Sequence, residues 1–342
     1  MLANSDLAPG ANRLILGLVD SASFPLGSPA WTLKSEIFDI TSDGCTPLAA
    51  ASPLPFAWAI TDVRGFFIGT TEIPVGAREI GLVISGTDAT GATVLVRFTS
   101  FVQATGTAPR PGDAAPTVAT PLAATNPQGI AGVSTDPEPR ADFYTNSASE
   151  LLAAGTPFLI AFASPAFCVS QACGPTLTLL KSAADQHPGV VIVHVEPYQM
   201  SWNGTRLIPV LAAGGGLQAT SIVTAWQVPV EPWIFTVGRD GRILRSLEGV
   251  ISPEEFDDAL AELAAIYLAA AAPRGADRLP RCAERTVDWL IRRQVKGDPC
   301  NQWNRITTLC LNSGEPWRAT GNNRSGDRMR ACGIERREEC LE

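Results

Sequence analysis

The sequence lacks any apolar run of about eighteen residues, the length a helix needs to cross a membrane, so no membrane span is predicted. Basic residues are also few, since 26 Lys and Arg stand against 34 Asp and Glu, giving a net charge of −8 and a pI near 5.0. Phosphate binding requires a basic surface, which argues against nucleic acid as a partner. Residues 1–6 lack the basic and apolar regions of a secretory signal.

The 342 residues, 45% of them hydrophobic, are enough for two or three globular domains. Residues 12–103 alternate short β-type runs with turn residues, and the loop 86–91 predicts a hairpin. This spacing predicts an all-β, immunoglobulin-like sandwich over residues 1–103. Cys45 stands alone in this region, so no disulfide within it is expected. The predicted strands are 14–19, 31–38, 56–61, 65–73, 80–85 and 94–102.

Residues 104–142 change in composition, with small and polar residues and seven prolines spaced through them. Such a stretch is typical of a semi-extended linker, because it offers too little apolar surface to offset the conformational entropy of folding. A flexible linker, cut first by proteases, is therefore expected here.

Residues 143–272 have the pattern of an α/β domain. Ser147 and Glu150 form an S-x-x-E capping box at the start of a first helix, and Ser252 with Glu255 does the same for the last. Buried strands are predicted at 158–162, 190–195, 233–237 and 243–247, and further helices through Leu177 and around 222–226. The order αβαβαββα predicts a mixed sheet with helices on both faces.

The segment AFASPAFCVSQACGP, followed about sixty residues later by VEPWIFTVGRDGRI, resembles the thioredoxin family, particularly its bacterial envelope members. The resemblance covers about 130 residues and implies a thioredoxin-like α/β fold. It also implies that Cys168 is the nucleophile at a helix N-terminus, that Cys173 resolves the mixed disulfide, and that Pro232 is a cis-proline facing them. A location in the cell envelope follows from the same resemblance.

The residues themselves support thiol chemistry, because a helix N-terminus favours the thiolate form of a nearby cysteine. Two helical residues five apart would point about 140° from each other. Cys168 must therefore precede the first turn, or the helix must unwind, for the pair to form a disulfide.

The sequence also departs from the family pattern. The spacing is C-x4-C instead of C-x2-C, Phe167 replaces the usual tryptophan, and Phe162 stands where many members bury an acid. Glu231 is the candidate that replaces this acid in proton transfer to Cys173. The prediction is a thiol–disulfide oxidoreductase whose partners are protein thiols and disulfides, and no cofactor or metal is expected.

The sequence leaves two alternatives open and argues against a third. The first is a binding protein on an inert thioredoxin-like scaffold, because fold does not imply function. The second is a two-cysteine thiol peroxidase, which shares the C-x4-C-G spacing but needs a threonine and an arginine where Pro165 and Pro232 stand. The third, a copper site, lacks its histidine, since only His187 and His194 exist and the latter lies in a core-like run.

The C-terminal extension, residues 273–342, is rich in arginine and cysteine. One short helix is predicted at 285–294. The five cysteines show no C-x2-C pairing, so the pattern gives little support to a zinc site. They are Cys282, Cys300, Cys310, Cys332 and Cys340.

Overall fold

Residues 2–42, 45–48, 50–168 and 170–271, which this computed structural model describes, form mostly β-strands with few helices. The helix and the five cysteines predicted in the C-terminal extension lie outside the described residues. In the described part, no helix is long and apolar enough to cross a membrane.

The described residues of the N-terminal region form ten strands, and the six longest overlap the six predicted runs. One sheet has three strands, β1-β8-β7; a second has the order β10-β9-β4-β5, with β6 also on β4. The strands are β1 (Gly10–Leu16), β2 (Leu18–Val19), β3 (Pro25–Leu26), β4 (Thr32–Asp39), β5 (Thr46–Pro47), β6 (Ser52–Leu54), β7 (Phe56–Ile60), β8 (Arg64–Ile73), β9 (Glu79–Thr87) and β10 (Thr93–Phe101).

The two N-terminal sheets share one hydrophobic core. Burial alternates along β4, where Leu33 and Ile37 point inward, as expected for strands with one solvent-facing side. Leu14 of β1, Phe67 of β8 and Leu82 of β9 pack into the same core. Every pairing among these strands is antiparallel, including the predicted β9–β10 hairpin.

The following region has the predicted order of helices and strands, with one additional hairpin. Its four-stranded sheet has the order β12-β11-β15-β16, in which β11 and β12 are parallel and the other pairs antiparallel. The elements are α1 (Ala148–Ala154), β11 (Phe158–Phe162), α2 (Cys173–Gln186), β12 (Val191–Val195), β13 (Met200–Trp202), β14 (Leu207–Pro209), α3 (Ser221–Trp226), β15 (Trp233–Val237), β16 (Ile243–Glu248) and α4 (Pro253–Ala271).

Helices cover both faces of this sheet. Leu159 and Ala161 of β11 pack with Leu177 of α2 and Leu260 of α4, on what we call the α2/α4 face. Neighbouring β11 residues point the other way, where Phe162 packs with α1 and α3 on the α1/α3 face. All five residues of β11 are buried, as the continuous apolar run predicts for a strand covered on both sides.

The two predicted capping boxes have different outcomes. At α4, the Ser252 hydroxyl accepts from the Glu255 N–H and the Glu255 carboxylate accepts from the Ser252 N–H, so this box is confirmed. At α1, Ser147 occupies the N-cap position but its side chain makes no capping bond. The Thr120 hydroxyl accepts from the Ala148 N–H instead, while the Thr120 N–H donates to Ser147.

The structure differs from the flexible linker expected over residues 104–142. Short 3₁₀ turns occur there, and Val133 is buried on the α2/α4 face while Ala108 and Ala115 are buried on the α1/α3 face. The Ala115 N–H donates to Gly241, and Asp113 accepts from the Ile243 N–H, beside β16. The small residues of this segment allow its backbone to approach β16 closely. Backbone hydrogen bonds therefore hold residues 104–142, although their composition is typical of a linker.

The junction between the N-terminal sheets and the α/β region is polar and well paired. Arg13 of β1 binds both carboxylate oxygens of Glu255, at 2.5 and 2.8 Å, and the carbonyls of Glu248 and Val250. Val250 packs with Ile15 and other apolar residues of β1, β7 and β8. Residues 1–264 accordingly form one compact unit, in which the domain boundaries assigned from the sequence stay predictions.

Replacing Arg13 with Ala should destabilise the protein by about 2–3 kcal/mol, because Glu255 and two carbonyls lose a charged donor in a largely buried place. Urea unfolding followed by tryptophan fluorescence measures the free energy of unfolding. Lys34→Ala is the control, because the Lys34–Glu36 pair is exposed and should contribute less than about 1 kcal/mol. Equal losses in the two variants would contradict the assigned role of Arg13.

Glu248 should make stability at this junction depend on pH. Burial raises the pKa of its carboxyl, although hydrogen bonds from Ser5 and Asn4 oppose the shift. Stability from a raised carboxyl pKa is fully present below the unfolded-state pKa and is lost as the pH rises through the folded-state pKa. The free energy of unfolding of the wild type, relative to that of Glu248→Gln, should therefore be higher at about pH 4 than at about pH 7. A pH-independent difference in urea unfolding would disprove this.

Candidate functional site

Cys168 and Cys173 form a disulfide with their Cα atoms 6.0 Å apart. The loop between β11 and α2 carries Cys168, whose N–H donates to the Ser164 carbonyl at 2.9 Å. Gln171 has a left-handed backbone conformation, with φ of 60°, which turns the chain into α2. Residues 170–172 therefore lie before α2, and no continuous helix joins the two cysteines, which removes the spacing problem that such a helix would pose.

The placement of the two cysteines relative to α2 corrects one expectation. α2 begins at Cys173, so Cys173 is the first helical residue and Cys168 precedes the helix by five positions. The favourable field of the helix N-terminus therefore acts first on Cys173. The two cysteines also differ in exposure, because Cys168 is partly exposed and Cys173 is fully buried.

Glu231 and Pro232 lie beside the disulfide. The Glu231–Pro232 peptide bond is cis, as predicted from the sequence, and both residues are buried. A carboxylate oxygen of Glu231 and the two sulfur atoms all lie within 4.8 Å of one another. The Ser170 hydroxyl lies 3.1 Å from the Cys168 sulfur and donates to the Glu231 carbonyl. This hydrogen bond links the loop that carries Cys168 to the segment before β15.

Tyr198 is a member of the site that sequence reasoning missed. It lies in the insertion after β12, and its hydroxyl is hydrogen-bonded to the Glu231 side chain. Burial, followed by this hydrogen bond and the negative charge of Glu231, raises the pKa of Tyr198. The hydroxyl therefore stays protonated and holds the Glu231 carboxyl in place.

Phe162 faces away from the cysteines. Its ring packs against Trp226 and Phe235, at centroid distances of 5.6 and 6.1 Å, on the α1/α3 face. Cys173 is buried on the α2/α4 face, in the same cluster as Ala161 and Ala163. Because side chains alternate along a strand, a side chain at position 162 points away from Cys173. The acid near the sulfur atoms is instead Glu231, whose carboxylate oxygen lies within 4.8 Å of both.

A second buried acid supports the cysteine loop. One carboxylate oxygen of Glu196 accepts from the N–H and the hydroxyl of Thr135, both at 2.6 Å. The Thr135 hydroxyl accepts in turn from the Ala166 N–H, two residues before Cys168. Thr135 belongs to the segment interpreted as a linker, and no sequence signal joins it to the cysteines.

The two histidines have structural roles. His194 donates from Nε2 to the Ala163 carbonyl at 2.8 Å, and its Nδ1 lies 2.6 Å from the Tyr144 hydroxyl. Burial lowers the pKa of His194, so its ring is neutral and packed in the core, in agreement with the sequence interpretation. His187 faces Asp257 at 3.7 Å. Among the described residues, the cluster of possible metal ligands at this site contains neither histidine.

Comparison with protein-family models, curated proteins and solved structures gives no match for this chain.

Proposed function

We propose that residues 143–272 form a thioredoxin-like domain whose Cys168–Cys173 pair exchanges electrons with disulfides of other proteins. The mixed sheet covered by helices on both faces supports the proposed fold, as does the disulfide in the loop that leads from β11 into α2. We propose further that residues 1–103 form an immunoglobulin-like sandwich, which is supported by two antiparallel sheets with a shared core.

The asymmetry of the disulfide carries the functional proposal. A partly exposed sulfur on Cys168 is bonded to a fully buried sulfur on Cys173, with a carboxylate within 4.8 Å of both. An incoming thiolate reaches only the Cys168 sulfur. The buried sulfur of Cys173 then leaves, beside a group that can exchange a proton with it.

The proposed thiol–disulfide exchange conserves electrons and protons in both directions. In the reduced protein the Cys168 thiolate attacks a substrate disulfide, so that a mixed disulfide forms and one substrate thiolate leaves and takes up a proton. Cys173 then transfers its proton to Glu231 and attacks the Cys168 sulfur. The Cys168–Cys173 bond forms, the second substrate thiol is released, and two electrons have passed to the substrate.

An envelope location belongs to this proposal. A disulfide that cycles against protein substrates persists in an oxidising compartment, whereas cytosolic reductants keep most thiols reduced. The partners proposed are thus secreted or envelope proteins that carry disulfides. This location is tested by fusing the full chain to a reporter that is active on one side of the membrane only.

The proposed activity is tested with the full chain in a Cys45→Ser background, which removes an exposed free cysteine. After reduction, Cys168 should be alkylated at neutral pH at least about tenfold faster than Cys173, because it is the accessible thiol. The protein should also accelerate insulin reduction by dithiothreitol. An inert Cys168 in both assays would favour the binding-scaffold alternative, and rapid peroxide consumption would favour the peroxidase.

A further inference from the structure

Two sulfur atoms and one carboxylate oxygen converge at the redox site. The ligand atoms of Cys168, Cys173 and Glu231 all lie within 4.8 Å of one another. In a tetrahedral zinc site with Zn–S near 2.3 Å and Zn–O near 2.1 Å, neighbouring ligand atoms lie about 3.5–3.8 Å apart. Opening the disulfide frees both sulfur atoms to reach this spacing. We propose that the reduced protein binds Zn²⁺ through these three side chains.

The carboxylate is held ready for such a role. Glu231 is only 8% exposed, and its side chain is hydrogen-bonded to the Tyr198 hydroxyl. Metal-binding carboxylates are usually oriented by an outer hydrogen bond of this kind, which reduces the cost of ordering the ligand. Cys173 is fully buried, whereas Cys168 is partly exposed and offers the ion a route of entry.

The donor set selects the ion. Two thiolates disfavour Mg²⁺ and Ca²⁺, which bind oxygen ligands, and the carboxylate is a poor ligand for Cu(I). Zn²⁺ accepts both cysteine sulfur and carboxylate oxygen. Three protein ligands leave a fourth position for water, an arrangement that is common in zinc sites that exchange ligands.

Zinc binding of this kind is gated by the redox state. A dithiol reductant gives the disulfide two electrons and two protons, and Zn²⁺ then displaces both thiol protons into solvent. The disulfide form has no thiolates and cannot bind the ion in this way. Zinc at about one hundred times its dissociation constant should shift the dithiol-to-disulfide ratio about a hundredfold, or about 59 mV, toward the dithiol.

The test uses the full chain with Cys45 and the five cysteines of residues 273–342 replaced by Ser, so that only the pair remains. The protein is reduced with dithiothreitol, freed of reductant without oxygen, and titrated with Co²⁺ as a spectroscopic probe and then with Zn²⁺. We expect thiolate-to-cobalt charge-transfer absorption in the reduced protein only, displaced by one Zn²⁺ per chain. Cys168→Ser and Cys173→Ser should abolish it, and Glu231→Gln should weaken Zn²⁺ binding at least about tenfold.

Glu248→Gln is the matched control, because it changes a buried acid at the N-terminal junction and should leave binding unchanged. Two titratable thiols without metal binding, or full affinity in Glu231→Gln, would overturn the proposal. If the multiple-serine chain does not fold, zinc content is compared between the wild type and Cys168→Ser/Cys173→Ser, where one ion per chain should be lost. Insulin reduction in the presence of a chelator tests the exchange activity separately, so each proposal can fail alone.

Discussion

Replacing Cys173 with Ser should convert the protein into a trap for its partners. In the proposed exchange, Cys168 can still attack a substrate disulfide, because it is the more exposed member of the pair. No thiol then remains beside it to release the mixed disulfide, which therefore persists. After the variant is incubated with cell-envelope proteins, non-reducing electrophoresis should show high-mass adducts on Cys168. Dithiothreitol should reduce these disulfides and release the partners.

The matched variant is Cys168→Ser, which keeps the buried Cys173 and removes the accessible sulfur. With Cys45 and the five cysteines of residues 273–342 also replaced by Ser, it should form no adducts and should lose insulin reduction, since the remaining Cys173 is fully buried. Cys45→Ser should trap as the parent does, because the exposed Cys45 lies in the N-terminal region. Equal trapping by Cys168→Ser would reverse the roles assigned to the two cysteines.

Replacing Glu231 with Gln should slow the resolving step about a hundredfold, which is typical of the loss of a proton acceptor. Glutamine preserves the size of the side chain and an oxygen that can accept from Tyr198. It cannot take the proton of Cys173, so the mixed disulfide should accumulate before it resolves. A single-turnover experiment with a model disulfide separates the first attack from the resolution.

The rate of the first attack, made by Cys168, should change little in Glu231→Gln. A loss confined to the resolving step would indicate that Glu231 accepts the proton of Cys173. A merely structural effect would slow both steps together. Glu248→Gln is again the control, and both steps should keep their wild-type rates in that variant. Normal resolution in Glu231→Gln would remove this residue from the mechanism.

The strands and helices were largely predictable because their signals are local. Alternating burial along β4 and the continuous apolar run of β11 follow from which faces are covered, and both are visible in the sequence. The capping box of Ser252 and Glu255 formed as predicted, since both partners lie within one turn. At Ser147 the same local signal failed, because Thr120, distant in sequence, supplies the capping hydroxyl.

Residues 104–142 make more long-range contacts than a flexible linker would, for a reason that their composition does not show. Composition indicates how much apolar surface a segment can bury, but it does not show which backbone groups it can reach. The Asp113 carbonyl pairs with Ile243 of β16, the Ala115 N–H pairs with Gly241 in the turn before it, and Thr135 pairs with Glu196, so all three contacts join residues far apart in sequence. Backbone hydrogen bonds of this kind need no apolar side chains, so the pattern contains no sign of them.

The sequence by itself indicated the cysteine pair, and its resemblance to the thioredoxin family implied a cis-proline at Pro232, with Glu231 beside it as the candidate acid, because each pair lies within one short recognisable segment. Only the tertiary structure decided that α2 begins at Cys173 and that Phe162 faces the opposite side of the sheet. The approach of the Glu231 carboxylate to both sulfur atoms was likewise decided there. The start of α2, the direction of Phe162 and the position of the Glu231 carboxylate depend on where the chain turns and on which face of the sheet each strand residue occupies. Contacts between residues distant in sequence determine both the turns and the faces.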